Sequence, residues 1–159
     1  MSKDQNKIDN EFMKEALLEA KKSLDAGDWA VGCVIVIDNK VVARGRNRVY
    51  STGNKLAHAE VEAMNSIAEL LASRGEDATL YVTLEPCPMC MGAILLTHFK
   101  RVVCGVDANG SGSFSIIRSG SLPTFFTKSK YQFEIDQSVM VDECSSLFLT
   151  GVEKKGKKK

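Results

Sequence analysis

Two short runs, His58-Ala59-Glu60 and Pro86-Cys87-Pro88-Met89-Cys90, constrain this chain more than anything else in it. One imidazole and two thiols make a donor set for a single zinc ion, provided the two runs converge in space. Convergence requires each run to open a helix, and both helices to start at one edge of a sheet. The Cys-x-x-Cys spacing then turns Cys87 and Cys90 to the same side within one helical turn. Unpaired N–H groups at a helix N-terminus favour thiolates, and Pro86 and Pro88 cost little where early N–H groups have no partner anyway. Three protein ligands leave one tetrahedral position open, and a water there becomes acidic. Glu60 is a carboxylate placed to move protons beside it.

Alone, the Cys87/Cys90 pair also suits a structural zinc half-site or a redox pair, but the His-Ala-Glu run before it favours the catalytic arrangement. The chain has only two histidines, His58 and His98, so a zinc site here must use sulfur. His98 falls near a helix C-terminus, where a cation is mildly favoured, and reads as structural. Five cysteines at irregular spacing form no disulfide framework. Cys33 and Cys104 lie in apolar runs and, with Cys144, are expected in the core. The polar N-terminus lacks a signal-like apolar run, and no stretch approaches membrane-spanning length, so a cytoplasmic protein with no membrane association is expected.

The 159 residues, 44% of them apolar, suffice for one domain with its own core. The net charge of +1 hides an asymmetry: residues 151–159 hold five Lys and one Glu, leaving about −3 on residues 1–150. We therefore expect a folded domain over 1–150 and a disordered Lys-rich tail over 151–159. The tail is either a solvated extension or an arm that touches phosphate.

Apolar residues Phe12, Met13, Ala16, Leu17, Ala20 and Leu24 recur at helical spacing, with Gly27 as the stop. Cys33–Ile37 and Lys40–Arg44, joined by Asp38-Asn39, read as a hairpin. A loop over 45–54 leads to a helix from Ala57 to Ser73. Thr79–Leu84 predicts a strand, Met89–Leu96 a helix and Arg101–Val106 a fourth strand. Residues 107–130 read as a long loop with one helical turn, Gln132–Ile135 as an edge strand, and Asp142 as the cap of a short last helix. Helices alternating with strands argue for an α/β fold with a mixed sheet. Trp29 reads equally as a wall for stacking a base and as a core or dimer contact.

The chain resembles the cytidine-deaminase-like superfamily, and within it the tRNA adenosine deaminases. The resemblance runs from about Asp28 to Gly105, through Val31-Gly32-Cys33-Val34-Ile35-Val36, Gly45-Arg46-Asn47, and Thr79-Leu80-Tyr81-Val82-Thr83-Leu84-Glu85-Pro86-Cys87-Pro88-Met89-Cys90. Asp142-Glu143-Cys144 is similar to the start of that family's last helix. The resemblance implies a three-layer αβα fold with a five-stranded mixed sheet. It implies one Zn2+ per chain held by His58, Cys87 and Cys90, with Glu60 as the catalytic proton shuttle. Asn47 would hydrogen-bond the base, and the Ala59 N–H would face the reacting oxygen. The implied reaction is hydrolytic deamination of adenosine to inosine in a tRNA anticodon loop, by a homodimer. Relatives sharing both motifs act on free nucleobases or nucleosides, so deamination of free guanine or cytosine is the alternative. A zinc-bearing RNA-binding subunit without activity is a third reading, against which Glu60 speaks. The chain departs from the family at Trp29-Ala30, where a small apolar residue and Pro are usual, and at Ala108, where an Asp is often found.

Overall fold

The computed structural model describes residues 3–108, 110, 112–120 and 134–156. Helix α1 spans Lys3–Asp25, and strands β1 (Gly32–Ile37) and β2 (Lys40–Arg46) form the expected hairpin. Asp38 and Asn39 both take positive φ (51° and 56°), as the turn of a two-residue hairpin requires. A short helix α2 (Val49–Thr52) precedes α3 (Ala59–Ser66) and α4 (Ala68–Arg74). Strand β3 (Thr79–Leu84), helix α5 (Pro88–Leu96) and strand β4 (Arg101–Val106) follow. Helix α6 (Phe114–Arg118), strand β5 (Glu134–Asp136) and helix α7 (Val141–Gly156) complete the described chain.

The five strands form one sheet in the order β2-β1-β3-β4-β5. β1 pairs antiparallel with β2 and β3, whereas β3–β4 and β4–β5 are parallel, so the sheet is mixed. Both faces are covered, which explains why β1 is apolar at nearly every position. Val34, Val36, Tyr81 and Val103 pack with Met13 and Ala16 of α1 and Cys144 of α7. Cys33, Ile35, Leu80, Val82 and Cys104 point the other way, onto Ala59, Ala63 and Met64 of α3, Leu71 of α4 and Ile94 of α5. This is the three-layer αβα arrangement.

Several expected boundaries move, each for a tertiary reason. α1 starts at Lys3, well before the apolar stripe, because its polar first half is anchored by Asp9. That fully buried carboxylate takes hydrogen bonds from both terminal nitrogens of Arg101 (2.7 Å each) and from Tyr81 Oη (2.8 Å). The single helix expected up to Ser73 is broken at Ile67, whose φ of −134° leaves the helical range while its side chain packs on the core. β5 is described over Glu134–Asp136, within and one residue past the expected strand; residues 132 and 133 lie outside the described set, as does the 121–130 part of the expected loop. The described part of the loop after β4 contains a short helix, α6.

The last helix is long and runs through Gly156, so residues 151–156, expected in the disordered tail, are helical. Gly151 is buried against Ala30 and Leu24, and Lys155 Nζ donates to the Gly27 carbonyl at 2.8 Å. Residues 157–159 lie outside the described set. No helix among the described residues is long and apolar enough to cross a membrane.

Candidate metal centre and active site

The sheet edge where β2, β3 and β4 end and β1 begins carries the site, the usual place for ligands in α/β sheets. His58 and Cys87 each occupy the position just before a helix, α3 and α5 respectively, in extended backbone conformation. Pro88 is the first residue of α5, as the sequence pattern predicts. Cys90 sits one turn into α5 and is buried. α3 is pressed directly onto β2 at Gly45, where a Cβ would collide with the Ala59 carbonyl and lie 2.7 Å from Ala63 N. That close approach fixes the height of His58 and Glu60 above the sheet.

The three ligand atoms form a nearly equilateral triangle. His58 Nδ1 lies 3.7 Å from Cys87 Sγ and 3.6 Å from Cys90 Sγ, and the sulfurs are 3.7 Å apart. A tetrahedral zinc with ordinary bond lengths needs about 3.6 Å between nitrogen and sulfur and about 3.8 Å between sulfurs. The donor set and its spacing therefore fit zinc. Among the described residues no fourth His, Cys, Asp or Glu joins the cluster, so the fourth position is not taken by such a side chain. Cys33, Cys104 and Cys144 are buried core thiols, as expected.

The electrostatics agree. The hydrogen bond between the Cys87 and Cys90 sulfurs outweighs burial; His58 adds its own hydrogen bond and charge, drawing the Cys87 pKa down to about 4. The same bond, with burial and the charges of Glu60 and Cys87, pushes Cys90 far up. His58 is raised, chiefly by its bond to Cys87. A dication held by these three groups would supply the positive charge that they otherwise draw from shared protons.

Glu60, the second residue of α3, is buried at 3% exposure. Burial, before any other cause, raises its pKa above the ordinary 4.5, with the Cys87 charge acting in the same sense. A carboxylate shifted upward toward neutrality is suited to both accepting and returning a proton. Glu60, His58 and Cys87 open onto a cavity of about 420 Å³, within the range of small-ligand sites. Asn47 also lines it. The Asn47 Oδ1 accepts from Val49 N at 3.2 Å, while its Nδ2 has no protein partner among the described residues. Ala59 is the first residue of α3, where a backbone N–H has no partner inside the helix.

The remaining walls include residues that motif reasoning did not assign. Trp29 lines the cavity and stacks on Phe148 of α7 with ring centroids 6.1 Å apart, so its wall and packing roles coexist. Leu84, Glu85 and Ala108 come from the ends of β3 and β4. Glu85 stood inside the recognisable Thr-Leu-Glu-Pro-Cys run, next to a ligand turn; Phe148 carried no local signal. His98 lies outside this site, at positive φ (57°), with its ring 3.7 Å from Glu76.

Fold and site together define a zinc-dependent hydrolytic deaminase, and the chain belongs to the family of the cytidine and deoxycytidylate deaminase zinc-binding region, whose model matches residues 6–106. It is similar to a tRNA-specific adenosine deaminase of Bacillus subtilis, 36% identical over 95% of this chain and 92% of that one. Among solved structures it resembles a protein from a study of A-to-I editing by tRNA:A34 deaminases at the wobble position of transfer RNA. That likeness has a TM-score of 0.75 at 30% identity, covering 86% of this chain and 98% of that one. A guanine deaminase from Nitrosomonas europaea shares the fold, with a TM-score of 0.68 at 19% identity over 87% of this chain and 81% of that one.

Proposed function

We propose that this protein converts adenosine to inosine in a tRNA anticodon loop, acting as a cytoplasmic homodimer. The observation that carries the reading is the cavity of about 420 Å³ that brings Glu60, Asn47 and the ligand triangle to one mouth. The near full-length similarity to the Bacillus protein supports adenosine in tRNA as the substrate. A base in a single-stranded loop unstacks at low cost and enters such a pocket edge first.

His58, Cys87 and Cys90 would hold the zinc, which would supply a water acidic enough to attack the carbon bearing the amino group. Glu60 takes one proton from the attacking water and delivers it to the adjacent ring nitrogen, then takes the second from the added hydroxyl and delivers it to the departing amine. Water is consumed, ammonia leaves, and the ring keeps a carbonyl. Asn47 donates from Nδ2 to the purine and holds it in plane. The Ala59 N–H donates to the oxygen that adds to the ring. Trp29 and Phe148 exclude water on one side.

Ammonia release from an adenosine-bearing anticodon stem-loop, compared with free adenine, guanine and cytosine, tests the substrate. Turnover of the stem-loop alone is expected. Turnover of free bases with none on the stem-loop would overturn the proposal in favour of a free-base deaminase. RNA binding without ammonia would favour an inactive binding subunit.

A further inference from the structure

We infer that Glu85 is a positioning residue: its buried carboxylate is a two-point clamp that holds Ala108 and Phe114 beside the zinc-ligand turn and so sets one wall of the substrate cavity. This rests on the deaminase reading above for its kinetic consequence, but not for its geometry. Glu85 is 6% exposed. Its Oε2 accepts from Ala108 N at 3.0 Å and its Oε1 from Phe114 N at 2.7 Å. One oxygen therefore serves each of these two residues, and Ala108 is itself a cavity wall. The backbone continues the attachment. Glu85 N donates to Val106 O at 2.8 Å, and Pro86 O accepts from both the N–H (3.1 Å) and the hydroxyl (3.0 Å) of buried Ser113. The residue that follows Pro86 is the ligand Cys87.

Gly112 supplies a second, independent mark of the clamp. A Cβ at that position would collide with the Glu85 carboxyl carbon and both of its oxygens. Its φ lies outside the left-handed region, so a side chain there would contest the space of the Glu85 carboxylate and displace it. The carboxylate is thus enclosed by two donated N–H groups and by a residue with no side chain. An acid placed this way, adjacent to the ligands yet with both oxygens occupied by backbone donors, is committed to shape and not to proton transfer.

The test is Glu85→Gln, which keeps size but turns an NH2 toward one of the two N–H donors. Charge-assisted hydrogen bonds of this kind are worth about a ten- to hundredfold change in an equilibrium. The amides of Ala108 and Phe114 should exchange with deuterium at least about tenfold faster in the zinc-loaded variant, while zinc per chain stays unchanged. With the anticodon stem-loop, KM should rise about tenfold or more and kcat should change by less than about threefold. Gly112→Ala should reproduce the KM effect. Adding Glu85→Asp, which withdraws the carboxyl by one methylene, should return part of it. Unchanged exchange at both amides overturns the clamp whatever the substrate. A fall in kcat with loss of zinc overturns it in favour of support for the metal ligands. If the wild type leaves the stem-loop untouched, the substrate proposal fails, and the exchange measurement still decides the clamp. Should Glu85→Gln not fold, Gly112→Ala and its Glu85→Asp partner carry the same comparison.

Discussion

Gly45→Ala should cost this protein its activity out of proportion to its stability. A methyl at residue 45 would lie 2.7 Å from Ala63 N and 3.0 Å from Ala63 Cβ, and closer still to the Ala59 carbonyl oxygen. None of these is the far end of a flexible side chain, so α3 must recede from β2 by about 1 Å. Overpacking of this kind costs about 1–3 kcal/mol, which a domain of this size survives. The site is less tolerant. Ala59 stands between His58 and Glu60, so the recession moves the imidazole relative to two sulfurs now 3.6 and 3.7 Å away. Metal–ligand distances tolerate only about 0.2 Å, so zinc affinity should drop about 10- to 100-fold. With Glu60 displaced by a similar amount, turnover of the zinc-saturated variant should fall about 100-fold. The assay is zinc per chain after dialysis against a graded chelator, with ammonia release at saturating zinc and the melting temperature measured on the same samples. Gly92→Ala is the control. A methyl added to that helical glycine would meet nothing within 4 Å, so the change should be neutral or stabilising. If Gly45→Ala keeps wild-type zinc retention and wild-type turnover, the claim that this contact sets the height of the site is wrong.

Glu60→Gln should reduce turnover about 10²- to 10⁴-fold while zinc stays near one per chain, as elemental analysis and ammonia release together would show; retained turnover would remove Glu60 from proton transfer. Asp9→Ala should destabilise the fold by about 1–3 kcal/mol in denaturant titration, because the buried Arg101 guanidinium loses two charge-assisted hydrogen bonds while keeping its ion pair with Asp136. Burial pushes Asp9 up, but hydrogen bonds from Arg101, Gln5 and Tyr81 and the Arg101 charge outweigh it, leaving its folded pKa below 3.8. Its contribution is therefore fully present above pH 3.8 and lost as the pH falls through the lower folded value, and the acid limb of a stability-versus-pH curve should flatten in Asp9→Asn. Lys155 Nζ lies 3.6 Å from the Tyr50 ring centroid and 5.0 Å from that of Trp29. Lys155→Ala should loosen the end of α7 by about 0.5–1 kcal/mol and shift the emission of Trp29, the chain's only tryptophan; an unchanged spectrum would refute that contact.

The ligand set and the helix starts were legible because their signals are local. Pro86 and Pro88 can only stand where N–H groups are dispensable, and the two Cys at 87 and 90 need one turn to meet. The hairpin was legible in Asp38-Asn39 for the same reason. Asp9 was not legible: it lies in a polar stretch like any solvated helix face, and its partner Arg101 is 92 residues away. The extension of α1 to Lys3 follows from that distant pairing. The break at Ile67 was hidden because its residues continue a helical apolar pattern, and only the fit of the Ile67 side chain against the core ends the helix. The length of α7 was hidden in a Lys-rich run whose composition suggests solvation, whereas Gly151 and Lys155 dock it against Ala30 and Gly27.

From its residues alone, then, this chain declared its chemistry: one imidazole, two thiols and a carboxylate at spacings that serve a metal, on elements whose type follows from local pattern. Folding decided what surrounds that chemistry. Trp29, Asn47, Leu84, Glu85, Ala108 and Phe148 come from separate stretches and share one cavity only because the sheet order β2-β1-β3-β4-β5 brings their ends to one edge. Bond geometry and helix propensity act over a few neighbouring residues and can be read along the chain; the walls of a cavity depend on packing between distant segments, which exists only once the layers have closed.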